Sequence, residues 1–307
     1  MESTKNDLEH IIWNKIKNSD RRFWVVLFST IIWGIFAHGM ALFNKYSVHD
    51  DNKFLFGIGW TYQSGRWGLA ILGKLYKIIL GGELYSLPLL NGFISILCIA
   101  FSAYLIIHLL EIEQKGLCIA IASILVSFPT ITSIFGFMFT APYYMIALLF
   151  AVFGIWIVNK KNNCSCFLAG VLLMACSIGI YQAFIPVMMS LALLCFIQKI
   201  IVETSDNLKK LILSGLYLAG AVISSILLYF LINKCILAYK GLSLIDYKNL
   251  STMGKESISV YLARTVRAVR YFFVPENIGN FTSMFPFQVK IFILLYYYQF
   301  LCFRYML

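Results

Sequence analysis

Charge is what this sequence has least of. Only 13% of its 307 residues are Asp, Glu, Lys or Arg, 60% are hydrophobic, and the mean hydropathy is +0.80. A soluble domain carries about 25% charged residues, and the polar side chains here are too few to keep such a chain dispersed in water. A water-soluble globular fold is thereby excluded, and the chain reads as an all-α polytopic membrane protein. Other absences narrow the function. There is no Gly-rich phosphate loop and no soluble nucleotide-binding stretch, so nothing points to a nucleotide-sugar site. There is no disulfide framework, because most of the eight cysteines fall inside apolar runs, where cysteine acts as a small hydrophobe. The pair Cys164 and Cys166 lacks the second pair, or the histidines, that a zinc site needs. No internal repeat and no low-complexity segment is present. The formal net charge of +11 is scattered between apolar runs rather than gathered in a stripe. That argues against nucleic acid and for basic loops beside anionic headgroups or phosphates.

What is present is a succession of apolar runs of bilayer length. Residues 1–22 are polar and basic and form a cytoplasmic N-terminal segment. Residues 23–307 form a single membrane domain of about eight helices. The run 23–43 is long enough to cross, is too long for a signal peptide and is followed by no cleavage motif, so it reads as a retained anchor with the N-terminus inside. Residues 44–83 form a first large outer loop whose part after Arg66 suits an interfacial or re-entrant helix. Further runs cover about 84–110, 117–138 and 142–158. Residues 167–203 are too long for one helix and read as two, joined by a tight outer turn at Tyr181-Gln182. A seventh run covers about 211–232, residues 233–287 form a second large outer loop, and a last run covers about 288–303. The basic character of this second outer loop opposes the positive-inside tendency, which weakens in long loops.

Three groups of residues can carry chemistry. Asp50 and Asp51, beside His49, directly follow the first run. A carboxylate partly desolvated at a membrane interface has a raised pKa and serves as a general base. Adjacent residues point in different directions, so one of the pair is the base, and the other is left for substrate hydroxyls or a metal. Arg264, Arg267 and Arg270 are spaced to share one helix face within about 120°. Such a face either snorkels to lipid headgroups or clamps a phosphate, and Arg66 and Lys240 are candidates to join it. Tyr181, Gln182, Trp60 and His49 are candidates for sugar or acceptor binding, by hydrogen bonding or by ring stacking. The sequence names no cofactor and no metal-ligand set.

On these residues the chain resembles the membrane glucosyltransferase family of the bacteriophage serotype-conversion type, the type II glucosyltransferases. The resemblance rests on Asp50-Asp51 after the first span, Trp60, Gly65-Arg66, and the stretch Ser177 to Ala183 containing Tyr181-Gln182. It covers roughly residues 20–290. It implies a GT-C-like helical bundle in the cytoplasmic (inner) membrane with its active site on the outer face. Such an enzyme takes a sugar, usually glucose, from a polyprenyl-phosphate donor and passes it to a cell-surface glycan such as lipopolysaccharide O-antigen. The implied roles are Asp50 or Asp51 as base and Arg66 with Arg264, Arg267 and Arg270 on the donor phosphate, with inversion at the sugar and a groove between helices for the lipid tail. Family members are generally longer, so an inactive, shortened member is one alternative. A transporter or flippase of lipid-linked sugar is the other, but its ionisable residues would sit in mid-span, whereas here they cluster in the outer loops.

Overall fold

Helix formation starts where the polar N-terminal residues meet the first apolar run. The Asp20 side chain accepts a hydrogen bond from the Arg22 backbone N–H at 2.9 Å and caps α1, Arg21–Phe43. A computed structural model of the protein describes residues 20–44, 60–80, 87–160, 163–202, 208–245 and 255–273. After α1 come α2 (Trp60–Gln63), α3 (Trp67–Leu80), α4 (Pro88–Leu109), α5 (Lys115–Ser127), α6 (Pro129–Phe135) and α7 (Ala141–Lys160). They are followed by α8 (Cys164–Ile180), a single 3₁₀ turn at Gln182–Phe184, α9 (Ile185–Val202), α10 (Leu208–Lys240) and α11 (Ile258–Phe273). The described residues contain no strand.

Five of these helices are long and apolar enough to cross a bilayer, or six if α5 and α6 count as one bent span. The count of eight expected is not reached among the described residues. Helix α8 is apolar but has only 17 residues, and the run expected at 288–303 lies outside the described residues. Two expected spans differ in detail. The third breaks at Phe128, where α5 and α6 meet at 48°; Pro129 opens α6 and cannot donate to the preceding turn. The seventh does not stop near residue 232. It continues to Lys240, so Lys234 and Lys240 ride on helix.

The chain divides into residues 1–245 and 246–307. In the first unit, α7 packs on α4 and α8, α1 packs on α4 and α5, and α8 also meets α3 and α10. One apolar core joins these helices, and a smaller one, Val26, Ala103, Ile107, Cys118 and Ala122, lies where α1, α4 and α5 meet. Small residues set the closest approach. A Cβ at Gly154 of α7 would stand 2.9 Å from the Gly170 carbonyl oxygen of α8, and one at Gly170 would stand 2.8 Å from the Gly154 carbonyl oxygen. Ser177 of α8 donates to the Ala147 carbonyl of α7 at 2.6 Å. Close backbones and hydroxyl cross-links are how helices associate where lipid removes the hydrophobic drive between them. The outer faces stay apolar: Phe36 of α1 is 79% exposed and Leu231 of α10 60%. Such surface suits lipid and not water.

Two buried polar side chains of the bundle are satisfied across helices. His38 of α1, buried, donates through Nε2 to the Val126 carbonyl at 2.8 Å and stacks on Phe135 at 4.0 Å between ring centroids. It thus ties α1 to the helix break. Asn91 accepts from the Tyr76 hydroxyl at 3.0 Å and donates to the Met138 carbonyl at 3.1 Å. The second unit is described through residues 255–273, where Ser257 starts α11 by accepting the backbone N–H of Val260 and Tyr261.

Candidate functional site

The site is built on a turn. After α2 the chain reverses through Ser64 and Gly65: the Gly65 N–H returns to the Tyr62 carbonyl and the Arg66 N–H to the Thr61 carbonyl, both at 2.9 Å. Gly65 takes φ +76°, in the left-handed region that glycine enters without a Cβ penalty. A Cβ there would also overlap the Tyr229 hydroxyl. Arg66 then stands immediately before α3, where unpaired backbone N–H groups make the helix start electropositive.

Three side chains from distant helices hold this turn. Tyr229 of α10, buried, donates its hydroxyl to the Gly65 carbonyl at 3.1 Å. Gln182 donates to the Ser64 carbonyl at 3.0 Å and to the Tyr229 hydroxyl at 3.1 Å. Lys240, at the end of α10, lies 4.5 Å from the ring centroid of Tyr62. The Ile245 N–H adds a hydrogen bond to the Gln63 carbonyl at 3.0 Å.

The Arg66 guanidinium enters an aromatic corner. Its Nη1 donates to the Tyr144 hydroxyl at 3.3 Å, and its Cζ lies 5.4 Å from the centroid of Tyr181. Tyr144 and Tyr181 stack with centroids 4.1 Å apart and planes at 17°. Arg66 Nε is buried and has no hydrogen-bond partner, and no carboxylate pairs with Arg66 among the described residues. Asn233 Oδ1, one helical turn beyond Tyr229, is likewise buried without a partner, as is Trp67 Nε1. A cation with aromatic and hydroxyl neighbours, and no counter-ion among the described residues, is suited to an anionic ligand.

An apolar groove of about 480 Å³ runs between α9 and α10. Met189, Phe196, Gly215, Val222 and Ile226 are among its lining residues. Ile226 lies one turn before Tyr229 along α10, so one end of the groove approaches the held turn.

Of the residues singled out from sequence, the structure brings Arg66, Tyr181 and Gln182 together. Gln182 spends its amide N–H groups on the turn. His49, Asp50 and Asp51 lie outside the described residues. Trp60 opens α2, and its side chain also lies outside what the structure describes. Arg264, Arg267 and Arg270 share one face of α11 in the second unit, with Arg264 paired to Glu256 at 2.9 Å. No three His, Cys, Asp or Glu side chains gather among the described residues. Sequence reasoning missed Tyr144 and Tyr229. A signal for the second existed: Tyr229 and Asn233 sit i, i+4 within the otherwise apolar stretch 226–233, and a polar pair at that depth needs a purpose.

The family model for glucosyl transferase GtrII matches residues 39–306, most of the chain. The chain matches no curated protein and no solved structure.

Proposed function

The chain belongs to the glucosyl transferase GtrII family, and from that premise we propose which groups carry its reaction. It is a membrane glycosyltransferase. In our reading it takes glucose from a polyprenyl-phosphate donor and passes it to a cell-surface glycan such as O-antigen, on the outer face of the cytoplasmic membrane.

The observation that carries this reading is Arg66. Its guanidinium is held by a locked turn at the start of α3, has a buried Nε without a partner, and stands in a corner of aromatic rings. A lipid-linked sugar phosphate asks for a fixed positive charge on the departing phosphate, and a forked donor matches the phosphate oxygens. Tyr144 and Tyr181 supply a hydroxyl and a ring face on which a sugar can rest. The isoprenoid tail would run along the groove between α9 and α10, in contact with lipid throughout.

The chemistry is a single displacement. Asp50 or Asp51 takes the proton of the acceptor hydroxyl, and that oxygen bonds to the anomeric carbon. The bond from that carbon to the phosphate oxygen breaks, and polyprenyl phosphate leaves against Arg66. Configuration inverts. No general acid is needed, because the phosphate leaves as a stabilised anion. Arg66 supplies the positive charge at this site.

Membranes carrying the wild-type chain, Asp50→Asn, Asp51→Asn or Arg66→Ala, at matched expression, would be given radiolabelled polyprenyl-phosphate-glucose and surface glycan from the same cells. The expectation is transfer by wild type, loss in one of the two Asn variants by about 100-fold or more, and a comparable loss in Arg66→Ala. Wild-type rates in both Asn variants would refute the base, and a wild-type rate in Arg66→Ala would refute the phosphate site.

A further inference from the structure

Helix α11 has two faces of opposite chemistry, and its aliphatic face is exposed. At about 100° per residue, Ile258, Leu262, Val266 and Val269 form a single stripe along its length. In the structure they are 78%, 61%, 66% and 54% exposed. Arg264, Arg267 and Arg270 occupy the opposite side. The 16 residues extend about 24 Å at about 1.5 Å each, far too charged on one side to cross a bilayer. In water such a stripe would be an exposed aliphatic patch without a partner. Nucleic acid would meet the arginines but leave the stripe bare.

We propose that α11 lies in the plane of the membrane interface, its aliphatic stripe among the acyl chains and Arg264, Arg267 and Arg270 turned toward the phosphates of anionic phospholipid. Charge complementarity identifies the occupant, since three guanidiniums, of which Arg264 also pairs with Glu256, above an aliphatic stripe match a surface that is anionic above and apolar below. The chain already sits in such a surface through α1, α4, α7, α9 and α10. The proposal also accounts for a basic segment in a long loop read as external. Those charges face lipid phosphate on their own side of the membrane and take no part in setting topology. It stands independently of the reading of the Arg66 site.

The test uses the full chain reconstituted in vesicles of phosphatidylcholine, with or without phosphatidylglycerol. Single spin labels are placed at Leu262→Cys, Val266→Cys or Ala263→Cys, in a background in which Cys164, Cys166, Cys235 and Cys302 are serine. Ala263 marks the arginine side. Collision with oxygen, which partitions into lipid, is compared with collision with a water-soluble nickel chelate. The labels at 262 and 266 should report lipid, about 5–10 Å below the headgroup boundary, and the label at 263 the headgroup layer. Phosphatidylglycerol should drive the 262 and 266 labels deeper, and the triple change Arg264→Gln, Arg267→Gln, Arg270→Gln should abolish that response. Equal nickel access at all three positions would place α11 in water and overturn the proposal. Protection of 262 and 266 from both reagents would also overturn it, by showing the stripe packed on protein. A depth that ignores phosphatidylglycerol but responds to added polyprenyl phosphate would assign the arginines to that lipid instead.

Discussion

Tyr229 makes the sharpest demand on a single atom in this molecule. Its hydroxyl is donor to the Gly65 carbonyl and acceptor from Gln182, so removing one oxygen takes both of these hydrogen bonds from the turn that presents Arg66. Tyr229→Phe should lower transfer by up to about tenfold, in keeping with the roughly 0.5–1.5 kcal/mol net worth of a hydrogen bond. The discriminating measurement is a double-mutant cycle with Arg66→Lys. If Tyr229 acts through Arg66, its replacement has little further effect once Arg66 is altered; multiplied effects would show an independent, merely structural role. At the opposite end of the bundle, Asp20 caps α1, bonds the Arg22 guanidinium at 2.8 Å and is reached by the Tyr104 hydroxyl at 3.4 Å. The hydrogen-bonded Arg22 holds the Asp20 carboxyl below the usual carboxylate range. A depressed folded-state pKa contributes stability above the unfolded value and loses it as pH falls through the folded one. Asp20→Ala should therefore lower the thermal stability of the purified protein at neutral pH by about 1 kcal/mol, with the gap from wild type closing below the ordinary carboxylate value of 3.8. A gap that persists there would assign the effect to packing.

At the scale of elements, the pair α7 and α8 is the frame of the site, because Tyr144 and Tyr181 come from its one end. Their separation is set by Gly154 and Gly170, each facing the other's carbonyl. Gly154→Val pushes a branched side chain against the Gly170 carbonyl and Met174, and the helices must part. A loss of about 1–3 kcal/mol in detergent unfolding is expected, with transfer falling more steeply than stability, as the tyrosine stack opens. Retained stability together with retained activity would show that the contact has slack. Helix α7 is plain in the sequence as an apolar run, and α8 follows from the turn at Tyr181-Gln182, because the 37 residues 167–203 exceed one membrane crossing. The break at Phe128 was not legible as a bend. Pro129 was visible, but proline in a membrane helix can be absorbed with or without a kink, depending on who satisfies the freed carbonyls. Here His38, from a helix 88 residues earlier, does so for Val126.

At the largest scale, the described contacts of residues 20–245 gather at two ends. Residues 61–66, 144, 181, 182, 229 and 240 meet at one end through the contacts described, while Asp20, Arg22, His108, Ile112, Trp156 and Lys160 meet at the other. Pattern alone could assign residues to an end, since hydropathy and loop charge are properties of segments. It could not say that Gln182 is spent on a turn or that Tyr144 faces Arg66, because those facts depend on the rotation of each helix about its own axis. The bond between His38 and Val126 also has a consequence for biosynthesis. A ribosome adds about 5–20 residues per second, so a separation of 88 residues puts the acceptor about 4–18 s behind the donor. The first span is made before the acceptor of its His38 imidazole, and this hydrogen bond forms only when the broken third span arrives. The order of synthesis is in this way written into the final structure as a debt contracted by α1 and discharged by α5.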